Sequence, residues 1–180
     1  MSTPGWTLFE TPLGCGGVVW SENGITGIHL PEPDGSRVRA LLRRRFPSAT
    51  EAAPPAPVEE AIAAMTALVG GESTDLTGVR LDLSRVDEID QQVYAVARQI
   101  RTGETLTYGQ IAAKLGDPHL AREVGQALGR NPFPLVVPCH RVIAANGRLG
   151  GFSARGGVST KQRLLEIEQA NVSWQMSLGV

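Results

Sequence analysis

Two cysteines, three histidines and a net charge of −1 over 180 residues set the first limits on this chain. Two thiols, Cys15 and Cys139, are too few for a disulfide framework, and the histidines form no cluster at zinc-ligand spacing. Neither a metal nor any other cofactor is expected. No apolar run approaches a membrane span, and no basic segment followed by an apolar one opens the chain, so a membrane or secreted protein is not indicated. The expected location is the cytoplasm, where a reactive thiol stays reduced. A charge near zero gives no general attraction to nucleic acid. Repeats and low-complexity tracts are also missing, apart from a Pro/Ala-rich connector at 52–57.

What is present is unevenly distributed. Residues 1–84 hold six Lys+Arg against ten Asp+Glu, while 85–180 hold eleven against eight. An acidic half thus precedes a basic one, which favours contact of the second half with a polyanion. The first half reads as strands at 6–10, 15–20 and 25–30, with turns at 11–14 and at Asn23-Gly24. A helix follows, with Val38, Leu41 and Leu42 on one face and arginines around it. The run Arg43-Arg44-Arg45 reads either as a solvated helix face or as a nucleic-acid patch. A second helix is expected at 58–69 and an extended segment at 77–83, giving an α/β domain over 1–84. Cys15 sits beside glycines in strand context, where packing is its role.

The second half reads as mainly helical, with a domain over 85–171 and a tail at 172–180. Ile89, Val93, Val96 and Ile100 are spaced for one helix face. Thr107 with Gln110 forms a capping box for a helix at 108–115. Asp117 and Pro118 then open another at 118–128, closed by Gly129. Two short helices across a tight turn make a helix-turn-helix, a motif that also occurs in all-α proteins without a DNA role. Ala121, Gly125, Ala127 and Gly129 keep the second helix slim, which permits either close approach to another surface or tight helix packing. Further on, Ala145-Asn146-Gly147-Arg148 is a hairpin turn and 152–158 a Gly-rich loop. Ser159 and Gln162 form a capping box for a last helix at 160–170.

Between these helices lies Asn131-Pro132-Phe133-Pro134-Leu135-Val136-Val137-Pro138-Cys139-His140-Arg141-Val142. Its prolines read as a rigid extended arm that aims Cys139. A thiol is a strong nucleophile only as thiolate, which a neighbouring imidazole or cation stabilises. In an extended segment, adjacent side chains point apart, so His140 can reach the sulfur only through a bend or a bridging water.

Pro-Cys-His-Arg-Val-Ile after this apolar run resembles the active-site motif of the O6-alkylguanine-DNA alkyltransferases. The likeness extends to Thr107-Tyr108-Gly109-Gln110-Ile111-Ala112, Ala121-Arg122-Glu123-Val124-Gly125, Leu164-Leu165 and Glu168, and so covers most of 85–170. It implies an N-terminal α/β domain and a mainly helical, winged helix-turn-helix-like C-terminal domain. The activity implied is irreversible transfer of an alkyl group from O6-alkylguanine, and possibly O4-alkylthymine, in double-stranded DNA to Cys139 after the nucleotide is flipped out. The protein would act as a monomer. His140 would act through water as base, Glu168 would orient it, and Asn131 would brace the nearby turn. Tyr108 would rotate the phosphate and donate to the base, and Arg122 would fill the vacated stack. Gly109 and Ala145 would contact the DNA backbone, and Ser153 the guanine.

The chain departs from the pattern at Tyr94, at Arg101-Thr102, and in a Cys139-to-Glu168 spacing about two residues longer, assigned to the loop at 152–158. Two other classes compete: a non-catalytic binder of alkylated DNA, whose members carry tryptophan in place of the cysteine, and a Cys-His-Glu hydrolase. The hydrolase would need an oxyanion hole, which nothing in the sequence marks.

Overall fold

A computed structural model describes residues 4–170. The chain divides into two compact units, Met1–Arg85 with Pro132–Val136, and Val86–Asn131 with Val137–Val180. The tail at 172–180 lies outside the described residues.

The first unit begins with an antiparallel meander of β1 (Gly5–Thr11), β2 (Gly14–Ser21) and β3 (Gly24–Glu32). Both turns end on glycines in the left-handed region, Gly14 at φ +117° and Gly24 at φ +140°. At Gly14 a Cβ would also meet the Glu32 carbonyl at 2.4 Å, so only glycine fits. Helix α1 (Gly35–Arg45) starts at Asp34, whose carboxylate accepts from the Ser36 and Arg37 amides. It lays Val38 and Leu42 against Trp6 and Val19. Burying side chains of this size contributes roughly 1.5–3 kcal/mol each, enough to hold an 11-residue helix that would not persist alone.

The chain then returns as β4 (Thr50–Glu51), parallel to β1, giving the sheet order β3-β2-β1-β4. Helix α2 (Ala56–Val69) buries Val58, Ala61, Met65 and Leu68 at helical spacing. The extended segment expected at 77–83 is instead a turn followed by a single bridge from Leu81 to Ile25. Asp75 accepts from the Thr77 amide, and that local hydrogen bond folds the backbone before a strand can form. Pro132 is tied to this unit through its carbonyl, which accepts from Ile28 N at 2.8 Å.

The second unit contains α3 (Glu88–Ala97), β5 (Leu106–Thr107), α4 (Tyr108–Lys114) and α5 (Ala121–Gly129), then β6 (Val142–Ile143) and α6 (Val158–Ile167). Strands β5 and β6 pair in parallel. The capping box at Thr107 and Gln110 forms with both of its hydrogen bonds. Helix α3 buries Val93, Tyr94 and Ala97 but leaves Ile89 exposed, because Asp90 takes the inward position one residue on. Asp90 accepts from Arg130 Nε at 3.0 Å and its terminal nitrogen at 2.7 Å. The departure at Tyr94 has a packing reason, since its hydroxyl donates to the Ala127 carbonyl at 2.9 Å and ties α3 to α5.

Two helix starts differ from expectation. Asp117 caps a 3-10 turn, Pro118–Leu120, and the α-helix proper begins at Ala121. The last helix begins at Val158 after Gly156 and Gly157, both at positive φ. The Ser159 hydroxyl donates to the Gly156 carbonyl, so the box with Gln162 does not form.

Candidate active site

The arm leading to Cys139 is a set of turns with a buried apolar lining, not an extended rod. Phe133, Leu135, Val136 and Val137 are all buried. Leu135 takes a left-handed φ of 73°, costly for a branched side chain and held by that burial. Cys139–Arg141 is a 3-10 turn that follows Pro138. Consecutive side chains on such a turn diverge by about 120°, so Cys139 and His140 are joined by a bend and not by an extended step. Asn131 donates from Nδ2 to the Val137 carbonyl at 2.9 Å and so ties the end of α5 to the turn before the cysteine.

Behind the thiol lies a buried ionic network. His140 Nε2 lies 2.7 Å from Glu168 Oε1, at the C-terminal end of α6. Arg141 donates to both oxygens of Glu168, at 2.9 and 2.8 Å, and to the Ile100 carbonyl at 2.6 Å and Thr102 Oγ1 at 3.3 Å. A buried carboxylate with a buried guanidinium forms a unit of zero net charge, which keeps the penalty for burying either one in check. Burial alone would raise the Glu168 pKa, but hydrogen bonds and charge from His140 and Arg141 outweigh it and hold the carboxyl at about 2. Burial pushes the imidazole of His140 below its ordinary value, against the pull of Glu168. A neutral ring whose Nε2 faces the carboxylate leaves Nδ1 free to take a proton.

Cys139 is partly buried, and burial raises its thiol above the ordinary value. Three influences oppose that rise: the Asn131 amide, the charge of Lys161, and the backbone amides of Cys139 and His140. Sequence reasoning missed Lys161. It is fully buried, and its ammonium donates to the Val142 carbonyl and, at 3.4 Å, to that of Gly151. It also lies 5.9 Å from the centre of the Tyr108 ring and 6.0 Å from that of Phe152. Burial lowers its pKa to about 8, with Cys139 pulling the other way. The signal was legible, because Lys161, Leu164, Leu165 and Glu168 share one helical face, and a lysine on a core face needs a reason. Arg141 was visible only as a motif letter, without its partner.

Of the remaining predicted residues, Tyr108 is brought to this cluster. Burial and then Cys139 raise its pKa, so it stays a hydrogen-bond donor. A Cβ at Gly150 would stand 3.2 Å from its hydroxyl. Gly109, Arg122, Ala145 and Ser153 lie on the surface, in α4, α5, the turn after β6 and the following loop respectively. The small residues of α5 do not all serve one surface: Ala127 is buried, and a Cβ on Gly125 would lie 3.9 Å from the Tyr108 ring.

Fold and site together define a helix-turn-helix protein with a cysteine centre backed by a His-Glu-Arg network. The profile of the 6-O-methylguanine DNA methyltransferase, DNA binding domain, matches residues 88–170. The methylated-DNA–protein-cysteine methyltransferase of Methanothermobacter thermautotrophicus is 35% identical over 159 residues, 88% of this chain and 82% of that protein. The protein of the same description from Mycobacterium bovis is 39% identical over 144 residues, 79% of this chain and 85% of that one. Among solved structures, Mycobacterium tuberculosis OGT in complex with DNA superposes with a TM-score of 0.71 at 32% identity, covering 92% of this chain and 94% of that one. The chain belongs to the methylated-DNA–protein-cysteine methyltransferase family.

Proposed function

We propose that this protein repairs O6-alkylguanine in double-stranded DNA by moving the alkyl group irreversibly onto its own Cys139. The observation that carries the assignment of residues is the buried His140–Glu168 contact of 2.7 Å, one residue along from the thiol. The alkyl-transfer and DNA-binding functions reside in residues 85–171. Cys139 gives its proton through a bridging water to His140 Nδ1, and Glu168, held ionised by Arg141, stabilises the imidazolium that results. Lys161 and the backbone amides favour the thiolate.

The sulfur displaces guanine from the alkyl carbon: the C–S bond forms as the C–O6 bond breaks. Guanine recovers a proton at N1, so the net change is thiol plus alkylguanine to thioether plus guanine. Tyr108 donates to the base as it leaves with negative charge. A thioether has no good leaving group, so each protein acts once.

Guanine O6 faces the major groove within the stack, and the nucleotide must be rotated out to meet a thiol behind α5. Arg122, exposed on the first turn of α5, fills the vacated space, Gly109 and Ala145 contact the backbone, and Ser153 contacts the guanine. Among the described residues no helix is long and apolar enough to cross a membrane. The cytoplasm is the proposed location, since a disulfide at Cys139 would end the chemistry. The test is Cys139→Ala. It should abolish transfer while retaining binding to a lesion-bearing duplex, and clearance of the lesion at the normal rate would overturn the assignment.

A further inference from the structure

The exposed side of α1 carries a dense block of positive charge that alkyl transfer leaves unused. We propose that this face is a second DNA-contacting surface, on which Arg43, Arg44 and their neighbours pair with backbone phosphates of the duplex. The proposal rests on the reading above that duplex DNA is the substrate.

Helix α1 carries Arg37, Arg39, Arg43, Arg44 and Arg45 and no carboxylate within its 11 residues. The helix dipole favours cations in the last turn, which could account for Arg43, Arg44 and Arg45. It disfavours a cation in the first turn, where Arg37 stands beside the Asp34 cap, and gives no reason for Arg39 in mid-helix, so the dipole does not explain the whole set. At about 100° per residue, Arg39 and Arg43 line one edge and Arg37 and Arg44 the other, with the small Ser36 and Ala40 between them. Two parallel rows of guanidinium groups around a low ridge suit a phosphate backbone lying along the helix.

The first edge is braced. The Trp6 ring lies 5.9 Å from the Arg39 guanidinium carbon and 6.0 Å from that of Arg43, and Glu51 accepts from both arginines. A guanidinium already held by a ring and a carboxylate loses less freedom when it meets a phosphate. One carboxylate offsets only one of these two charges. On the other edge Arg37 stands 3.6 Å from Glu32, and Arg44 has no carboxylate partner among the described residues. By contrast, the exposed side of α5 carries one cation, Arg122, and one anion, Glu123, and so gains no net charge. Helix α5 therefore adds little long-range attraction of its own, and in a chain of net charge −1 the α1 cluster would add to the modest excess of cations in the second half.

The experiment uses the full chain and a short undamaged duplex, with affinity measured by fluorescence anisotropy across a salt series. Wild type is compared with Arg43→Gln/Arg44→Gln and with Arg80→Gln/Arg85→Gln, a control that removes the same charge at exposed sites elsewhere. Each lost phosphate contact should lower the log–log salt slope by ~0.9, hence by ~2 in the α1 double variant, with affinity at 0.1 M salt weakened ~10-fold or more. The control should change the slope by far less. Arg44→Glu alone, clear of the Trp6 brace, should lower both slope and affinity and guards against a folding artefact.

An unchanged slope in the α1 variants, or an equal fall in the control, would overturn the proposal and leave a solvated helix face. Alkylation by free O6-methylguanine, followed by mass, is read in parallel. Its failure in wild type would count against the repair assignment and leave the salt slopes to decide the surface by themselves.

Discussion

Replacing Lys161 with methionine should make the protein more stable at neutral pH and slower in alkyl transfer. A lysine whose folded pKa is about 8, against an ordinary value of 10.5, is charged in both states at pH 7 and costs the folded state free energy. At ~1.4 kcal/mol for each tenfold change in proton affinity, that depression costs about 3 kcal/mol. Methionine keeps the stem but abandons the Val142 and Gly151 carbonyls, which returns roughly 1–3 kcal/mol. The net expectation is a gain of between 0 and about 2 kcal/mol.

The pH dependence is the sharper signature. Between about pH 8 and 10.5 the unfolded chain holds the lysine proton while the folded one has lost it, so wild-type stability rises relative to the variant. From pH 7 to 9.5 that relative rise should be about 2 kcal/mol by urea unfolding. Loss of the cation beside Cys139 should slow reaction with the free alkylated base by ~10-fold at pH 7. A gap in stability that stays constant with pH, or an unchanged rate, would refute the reading of Lys161 as a buried cation held for the thiolate.

Arg122→Ala should impair duplex repair by ~10-fold or more while sparing reaction with the free base, because only the duplex requires compensation for unstacking. Second-order rate constants for both substrates at one fixed salt decide it, and equal losses would reassign Arg122 to the fold. Glu168, held at about 2, should contribute stability that is full above its ordinary value of 4.5 and lost as pH falls towards 2. Unfolding midpoints of wild type and Glu168→Gln should converge over that window, and a constant difference would count against an ionised Glu168. Arg141→Met should leave Glu168 without its second partner and lower the thermal midpoint by several degrees, for a cost of ~3–5 kcal/mol. An unchanged melting curve would show that the buried pair is not what holds the network.

Legibility in the sequence followed how local each determinant is. The meander could be read because Asn23-Gly24 and the apolar runs on either side encode it within a few residues, and the Thr107 capping box because both partners lie within one turn. β4 could not, since Thr50 and Glu51 are exposed and carry no pattern, and only the return of the chain beside β1 makes them a strand. The arm departs from its sequence because its prolines signal extension, whereas Leu135 at positive φ and the 3-10 turn at Cys139 depend on packing that no dipeptide rule records. At the site, the motif pointed to Cys139 and His140, and the family resemblance around Leu164-Leu165 pointed to Glu168. The roles of Arg141 and Lys161 were not legible, even though the place of Lys161 on a core face was, because their partners Ile100, Thr102, Tyr108 and Gly151 are distant in sequence or lie in loops without a signature.

The central claim is that one thiol accepts one alkyl group and is then spent. Wild-type protein is incubated with excess O6-methylguanine duplex and its intact mass is recorded, followed by peptide mapping. The account predicts a gain of a single methyl per chain, located on the peptide that contains Cys139, with no further lesion consumed after that point. A methyl on any other residue, or continued clearance of lesions by protein of unchanged mass, would contradict it.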